Sequence, residues 1–155
     1  MKFLPITGSL LLLFLFPVIA LHAQDSSEEI RTIEIIGSDQ MQFDVTEINA
    51  SPGEEIKIVL TTESNLPKVA MAHNVVVLKQ DVDAKAFASA AATARNDDFI
   101  PPKLTDQIIA YTGLAGGGET VEVTFTVPEE TGSYTYICSF PGHFAAGMKG
   151  TIVVE

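Results

Sequence analysis

The stretch Cys138-Ser-Phe-Pro-Gly-His143-Phe-Ala-Ala-Gly-Met148 brings a thiol, an imidazole and a thioether onto one short segment of a 155-residue chain. All three groups are soft or borderline metal ligands. Pro141, Gly142 and Gly147 fix or release backbone angles, and so favour a loop that turns back on itself. We therefore predict a loop with three candidate ligands, joining two strands.

Short segments of alternating or β-branched apolar residues recur on both sides of this loop, separated by turn residues. They cover residues 31–36, 41–48, 56–62, 73–78, 108–111, 121–127, 134–138 and 150–155. The alternation places Tyr134, Tyr136 and Cys138 on one face of their strand. Seven or eight short strands with this spacing predict an all-β, antiparallel Greek-key β-sandwich.

Residues 80–107 lack the β pattern and are predicted to form a helical flap inserted between strands. Asp83 is a favourable N-cap for residues 84–95, where alanine and straight-chain residues predict a helix of about three turns. Pro101 and Pro102 would end this helical region.

The N-terminal residues have the composition of a secretory signal peptide. Lys2 precedes an apolar run, and Ala23 is a small residue at a plausible cleavage point before a polar segment. This division gives a signal peptide over residues 1–23 and one domain over residues 24–155. The alternative is a retained membrane anchor, since residues 3–21 are almost long enough to span a bilayer.

The charge of the chain is strongly acidic. Its net charge is −11, and it becomes −12 after cleavage, because Lys2 is lost while all 20 Asp and Glu lie downstream. Nucleic-acid binding requires a basic face for the phosphates, so the composition argues against it.

Cysteine and histidine are scarce in the predicted mature chain. Cys138 is the only cysteine, so this exported chain cannot form an internal disulfide. A single cysteine is commonly a small buried hydrophobe, which is the simplest alternative here. His22 would leave with the signal peptide, so only His73 and His143 remain, and His73 begins an apolar strand.

Two imidazoles, a thiolate and a weak thioether form a set that suits copper in electron-transfer proteins. His73 could join Cys138, His143 and Met148 if its strand ends at the same end of the sandwich. Zinc is the leading competing metal, although methionine is a poor fourth ligand for it. A Cys–His nucleophile and base would need an orienting group and a substrate pocket, neither of which the sequence indicates.

The residues around these ligands resemble the azurin branch of the cupredoxins, the small blue copper proteins. The matching segments are Gly37-Ser-Asp-Gln-Met-Gln-Phe43, Asn65-Leu-Pro-Lys68, Met71-Ala-His-Asn74, Cys138-Ser-Phe-Pro-Gly-His143 and Gly147-Met148-Lys-Gly-Thr. The resemblance covers most of residues 31–155. It implies a single type 1 copper with His73, Cys138 and His143 as equatorial ligands, Met148 as a weak axial ligand and Asn74 as a brace of the loop.

The sequence departs from the azurin pattern in three ways. Ala72 stands where azurins have a glycine whose carbonyl lies near copper. The azurin disulfide cannot form with one cysteine. The interval from His143 to Met148 is one residue longer than in azurin and resembles auracyanin, an azurin-like protein of photosynthetic bacteria.

The resemblance implies a soluble, periplasmic or otherwise exported one-electron carrier rather than an enzyme, without a membrane span after signal cleavage. Transient protein redox partners would dock near the ring edge of His143. The predicted apolar rim of that docking site comprises Met41, Leu66, Met71, Phe140, Pro141, Gly142 and Phe144. The alternatives are a periplasmic protein that stores or delivers copper and a β-sandwich interaction domain without metal.

Overall fold

Strands are the main regular structure of residues 30–155, the part of the chain that the computed structural model describes. The strands are β1 (Arg31–Ser38), β2 (Glu47–Ala50), β3 (Glu55–Glu63), β4 (Ala72–His73), β5 (Val76–Leu78), β6 (Ile108–Tyr111), β7 (Ala115–Gly116), β8 (Thr120–Thr126), β9 (Gly132–Ile137) and β10 (Lys149–Val154). The predicted signal peptide, residues 1–23, lies outside the described residues, so its cleavage and the domain boundary stay predictions. Within residues 30–155, no helix is long and apolar enough to cross a membrane.

The strands form a β-sandwich, which confirms the predicted fold class. One sheet has the order β1-β3-β8, the second has the order β2-β10-β9-β5-β6, and β4 pairs with β7 in a small third sheet. The prediction that the sandwich is antiparallel was wrong for two pairs: β1 with β3 and β2 with β10 are parallel. Between β1 and β3 the chain crosses to the other sheet through β2, so β3 returns in the direction of β1.

The core lies between the two large sheets. In β3 the inner residues Ile56, Ile58 and Leu60 are fully buried, as the alternation predicts. The predicted common face of β9 is also confirmed, because Tyr134, Tyr136 and Cys138 all belong to the main core cluster. The sandwich therefore buries the candidate thiol within its apolar interior.

The segment predicted as a strand over residues 41–48 is mostly irregular; only Glu47–Ala50 forms β2. Met41 has a φ of 55°, and Phe43 makes a single bridge to Gly37. The side chain of Asp44 accepts hydrogen bonds from the N–H of Ile36 (2.6 Å) and from its neighbour Val45 (2.9 Å). A carboxylate thus replaces strand hydrogen bonds where the chain changes sheets.

The flap contains helix α1 (Ala84–Ala91) and two 3₁₀ helices, Arg95–Asp97 and Pro102–Gln107. Asp83 caps α1 as predicted, since its Oδ1 accepts the N–H groups of Lys85 and Ala86 at 2.9 and 3.0 Å. The helix is shorter than the predicted residues 84–95. Thr93 explains part of the early end, because its hydroxyl donates to the carbonyl of Ala90 at 2.8 Å and competes with helical hydrogen bonds.

Candidate metal centre

Three buried side chains converge at one end of the sandwich. His73 lies in β4, Cys138 directly follows β9, and His143 is the first residue of the short helix α2 (His143–Ala146). We call residues 138–148 the ligand loop. Its base is closed by a hydrogen bond from the Cys138 N–H to the Met148 carbonyl (3.1 Å), and the Met148 N–H donates to the His143 carbonyl (3.0 Å). This closure returns the chain to β10 beside the strand that it left.

The donor atoms of the three residues lie close enough to bind one ion. The Nδ1 atoms of His73 and His143 are 3.1 Å apart, and Cys138 Sγ lies 3.9 and 3.4 Å from them, respectively. Such separations allow each donor to reach a common centre at about 2.0–2.3 Å, the bond lengths that a first-row ion such as zinc makes with nitrogen and sulfur. All three residues are at most 2% exposed. The chain therefore presents a preformed N₂S metal site.

Burial keeps the three ligands uncharged when no metal is bound. It raises the pKa of Cys138 to about 12, while the backbone N–H groups of Asn74 and Phe140 act in the opposite direction. It lowers the pKa of His143 to about 4, helped by the proximity of His73. Burial also lowers the pKa of His73, against a backbone interaction with Ser38 and the charge of Asp39.

The Nδ1 atom of His73 is the ring nitrogen that faces the other two donors. The Nε2 atom is buried without a hydrogen-bond partner among the described residues. The two Nδ1 atoms face each other, so without a metal one must carry a proton for them to form a hydrogen bond. Two neutral imidazoles and a thiol that loses its proton form a soft donor set suited to copper.

Met148 completes the group of predicted ligands. Its side chain is fully buried, and its methyl group lies beside the backbone of Gly37 in β1. A Cβ atom on Gly37 would lie 2.8 Å from His73 Cδ2 and 3.1 Å from Met148 Cε. The structure thus brings all four predicted ligands to one end of the sandwich. It also adds Gly37, which the sequence indicated only as a turn residue, as a close contact of two of them.

The family model for copper binding proteins of the plastocyanin/azurin family matches residues 32–155. The chain belongs to this family. It is 39% identical over 123 residues to the azurin of Alcaligenes faecalis, across 77% of this chain and 94% of that protein.

Solved structures agree with this assignment. Auracyanin A, a blue copper protein of Chloroflexus aurantiacus, superposes with a TM-score of 0.72 at 36% identity, across 82% of this chain and all of the other. An azurin of Methylomonas sp. strain J gives a TM-score of 0.70 at 31% identity, across 81% of this chain and 98% of the other. The predicted resemblance to azurins and auracyanins is confirmed.

Family membership settles the general chemistry of the site. The cofactor of this cupredoxin is copper, which confirms the predicted metal and leaves zinc without support. Cupredoxins of the azurin and auracyanin type are electron-transfer proteins, so the prediction that the chain is not an enzyme is also confirmed.

The loop brace predicted for this cupredoxin is present. Asn74 Oδ1 accepts the N–H of Ser139 at 2.9 Å, and Asn74 Nδ2 donates to the Ser139 hydroxyl at 2.8 Å. Both residues are 1% exposed. Because Asn74 follows His73 and Ser139 follows Cys138, these bonds connect two ligand-bearing segments. The sequence offered no sign that Ser139 is the partner, because the pairing joins positions 65 residues apart.

The alanine that replaces the azurin glycine stays close to the site. The carbonyl oxygen of Ala72 lies 4.0 Å from Cys138 Sγ, and Ala72 itself is fully buried opposite Gly116 of β7. The backbone of this cupredoxin therefore accommodates a methyl group at this position while its carbonyl still faces the donor cluster.

The predicted apolar rim is only partly exposed. Leu66 is 46% exposed, whereas Met71 is 8% exposed and adds little to the surface. Met41, Phe140, Pro141 and Phe144 are half-buried, and Gly142 is exposed. His143 itself is 2% exposed, so little of its ring edge reaches the surface. Val69, which the prediction omitted, is 72% exposed and lies with Leu66 in the loop between β3 and β4.

Proposed function

We propose that this protein is a blue, type 1 copper protein that carries single electrons between redox partners. His73, Cys138 and His143 would be the equatorial ligands, and Met148 would be the weak axial ligand. The observation that carries the proposal is the convergence of two imidazole nitrogens and one thiol, all buried, within 4.8 Å of one another. Bound copper supplies the chemistry by alternating between Cu(I) and Cu(II).

The chain's own residues hold this donor set nearly still. The thiol of Cys138 gives up its proton when a metal binds, and the N–H groups of Asn74 and Phe140 stabilise the resulting thiolate. The hydrogen bonds between Asn74 and Ser139 restrain the two segments that bear His73 and Cys138. A restrained, buried site changes little between oxidation states, which favours rapid electron transfer.

Electrons would enter and leave through the His143 side of the site. His143 lies in the middle of the ligand loop, whereas His73 is fully buried in β4 and Cys138 directly follows the core strand β9. The exposed Leu66 and the half-buried Phe144 would contribute to a small apolar surface for transient protein partners.

The signal peptide over residues 1–23 belongs to the same proposal, with cleavage after Ala23 and a periplasmic or otherwise exported domain over residues 24–155. An exported protein would meet oxidising conditions, in which a solitary unprotected thiol is vulnerable. The complete burial of Cys138 protects it.

The test is addition of Cu(II) to the purified apoprotein. We expect an intense visible band from thiolate-to-copper charge transfer, one copper per chain, and loss of the titratable thiol. Cys138→Ser should abolish the band, and Met148→Leu should keep it while raising the reduction potential. A colourless product with an undiminished thiol titre would refute the copper-thiolate site.

Copper storage or delivery would use the same ligands but requires the metal itself to leave. The burial of all three donors favours retention of copper over delivery. Slow copper loss to a chelator together with fast electron self-exchange would support the electron carrier; the reverse pair of results would support delivery.

A further inference from the structure

Two consecutive non-glycine residues of the flap have left-handed backbone angles. Asp98 has φ 49° and ψ 35°, and Phe99 has φ 62°. This region is unfavourable for a residue with a Cβ atom, especially a bulky one, and such strain persists only where surrounding contacts impose it. Phe99 is also 5% exposed, so its side chain is held inside the protein.

Two backbone hydrogen bonds, made by Phe99 and Ile100, fix this strained turn. The N–H of Phe99 donates to the carbonyl of Ala94, and the N–H of Ile100 donates to the carbonyl of Asp97, both at 2.9 Å. Ile100 packs into the apolar cluster between the flap and the five-stranded sheet. The turn therefore separates two neighbouring side chains, because Ile100 packs between the flap and the sheet while Phe99 packs against Phe140.

The ring of Phe99 contacts the ligand loop. Its centroid lies 5.0 Å from that of Phe140 at an interplanar angle of 67°, an edge-to-face arrangement. Phe140 in turn lies 4.8 Å from the ring of His143 at 44°. Phe140 thus contacts the ring of one proposed ligand, His143, and lies two residues after another, Cys138. Phe99 packs directly against Phe140.

We propose that Phe99 is a positioning residue through which the flap sets the environment of the metal site. It holds the Phe140 ring against His143, excludes water from Cys138 and so tunes the reduction potential. Loss of the ring admits water, and a more polar surrounding stabilises the higher-charged Cu(II) state. The variant should therefore have a lower potential. This role rests on the proposed electron-transfer function, but its effect on the thiol does not depend on copper.

The experiment compares Phe99→Ala and Phe99→Leu with Phe125→Ala. Phe125 lies in β8 opposite Ile56, which pairs with Arg31 at the end of β1 remote from Gly37, and it is half-buried. The first readout is the rate at which an aromatic disulfide reagent modifies Cys138 in each apoprotein. The second readout is the reduction potential of each copper form. Unfolding of each apoprotein in urea supplies the correction for global opening.

We expect Phe99→Ala to react about tenfold faster than wild type after that correction, as loss of an aromatic contact would allow. Phe99→Leu keeps apolar volume but loses the ring edge, so it should react about threefold faster. Both variants should show lower potentials, whereas Phe125→Ala should match wild type in both readouts. If Phe99→Ala does not fold, the Phe99→Leu result decides.

Equal thiol rates and equal potentials in the Phe99 variants and Phe125→Ala would overturn the role of Phe99. A wild-type protein that never forms the visible copper band would instead overturn the proposed function. The rates at which the reagent modifies Cys138 in the apoproteins distinguish these two failures, because they measure the access of reagent to the thiol without metal.

Discussion

His73 and His143 reach the same site on different kinds of support. His73 lies in the short strand β4, paired with β7, and its ring packs against the backbone of Gly37 in β1. His143 begins a single helical turn between Gly142 (φ 87°) and Gly147 (φ 102°). The sandwich therefore holds His73, whereas His143 is held by a loop whose backbone conformation depends on its glycines.

His73 is therefore a donor with a fixed position, whereas the donors of the ligand loop can change position with the loop. Gly37 leaves no space for a side chain, so the position of the His73 ring is imposed by neighbouring strands. The ligand loop needs only to close at its base, where Cys138 and Met148 are joined by a hydrogen bond. An additional residue between His143 and Met148 can therefore be absorbed without disturbing the sandwich. Asn74 and Ser139 connect the two supports.

Removing that connection should have the largest effect. Asn74→Ala would leave the N–H and hydroxyl of Ser139 buried without their partner, and we expect a loss of about 2–4 kcal/mol in the free energy of unfolding. Urea unfolding of the apoprotein measures it. Ser139→Ala is the matched control and should lose less stability, because the backbone N–H at position 139 keeps its hydrogen bond to Asn74 Oδ1. A loss below about 1 kcal/mol in Asn74→Ala would mean that the two supports are held together by other contacts.

Crowding the fixed support should have the next largest effect. Gly37→Ala places a methyl group against His73 and Met148, and such overpacking typically costs about 1–3 kcal/mol. Its copper form should also show a changed visible spectrum, since both contacted residues are proposed ligands. Gly113→Ala is the control, because its Cβ would meet only Val121 at an ordinary 3.8 Å. Identical spectra for the two variants would contradict the fixed-donor interpretation.

Straining the ligand loop should cost less than crowding the sandwich. Gly147→Ala forces a side chain into the left-handed region, for an expected loss of about 1–2 kcal/mol. Gly118→Ala imposes a similar strain in the turn before β8, and neither Cβ would meet a described atom within 4 Å. Both variants should therefore lose similar stability, but only Gly147→Ala should shift the reduction potential. Equal potentials would show that the loop conformation does not affect the site.

A change at the opposite end of the sandwich should have the smallest effect. The hydrogen bond from Arg31, at 2.7 Å, lowers the pKa of Glu54, and the N–H of Ser51 acts in the same direction. The lowered pKa stabilises the fold above the ordinary carboxyl value of 4.5, and this contribution is lost as pH falls through the lower folded value. Glu54→Gln should cost at most about 1 kcal/mol at pH 7 because the pair is partly exposed.

The pH dependence of unfolding tests this last prediction. The stabilities of Glu54→Gln and wild type should converge as the pH is lowered below the ordinary carboxyl value, and the copper spectra should be the same. A constant difference at all pH values would mean that the glutamine perturbs packing rather than removing a charge.

Local features of the molecule could be predicted from the sequence because neighbouring residues determine them. The alternation in β3 specifies its buried face, and Asp83 caps the helix that follows it. Cys138 and Met148 must share a loop because only nine residues separate them. The chemical types of the four ligands, and hence the copper site, follow from the same local evidence combined with the resemblance to azurins.

The tertiary structure decided which distant segments meet. A period of two assigns a side chain to a face of a sheet but does not identify the partner strand, so the parallel pairing of β1 with β3 was missed. The same reason applies to Gly37 against His73, Ser139 against Asn74, and Phe99 against Phe140. Each contact joins residues more than 30 positions apart, and its existence depends on how the two sheets and the flap pack rather than on any local pattern.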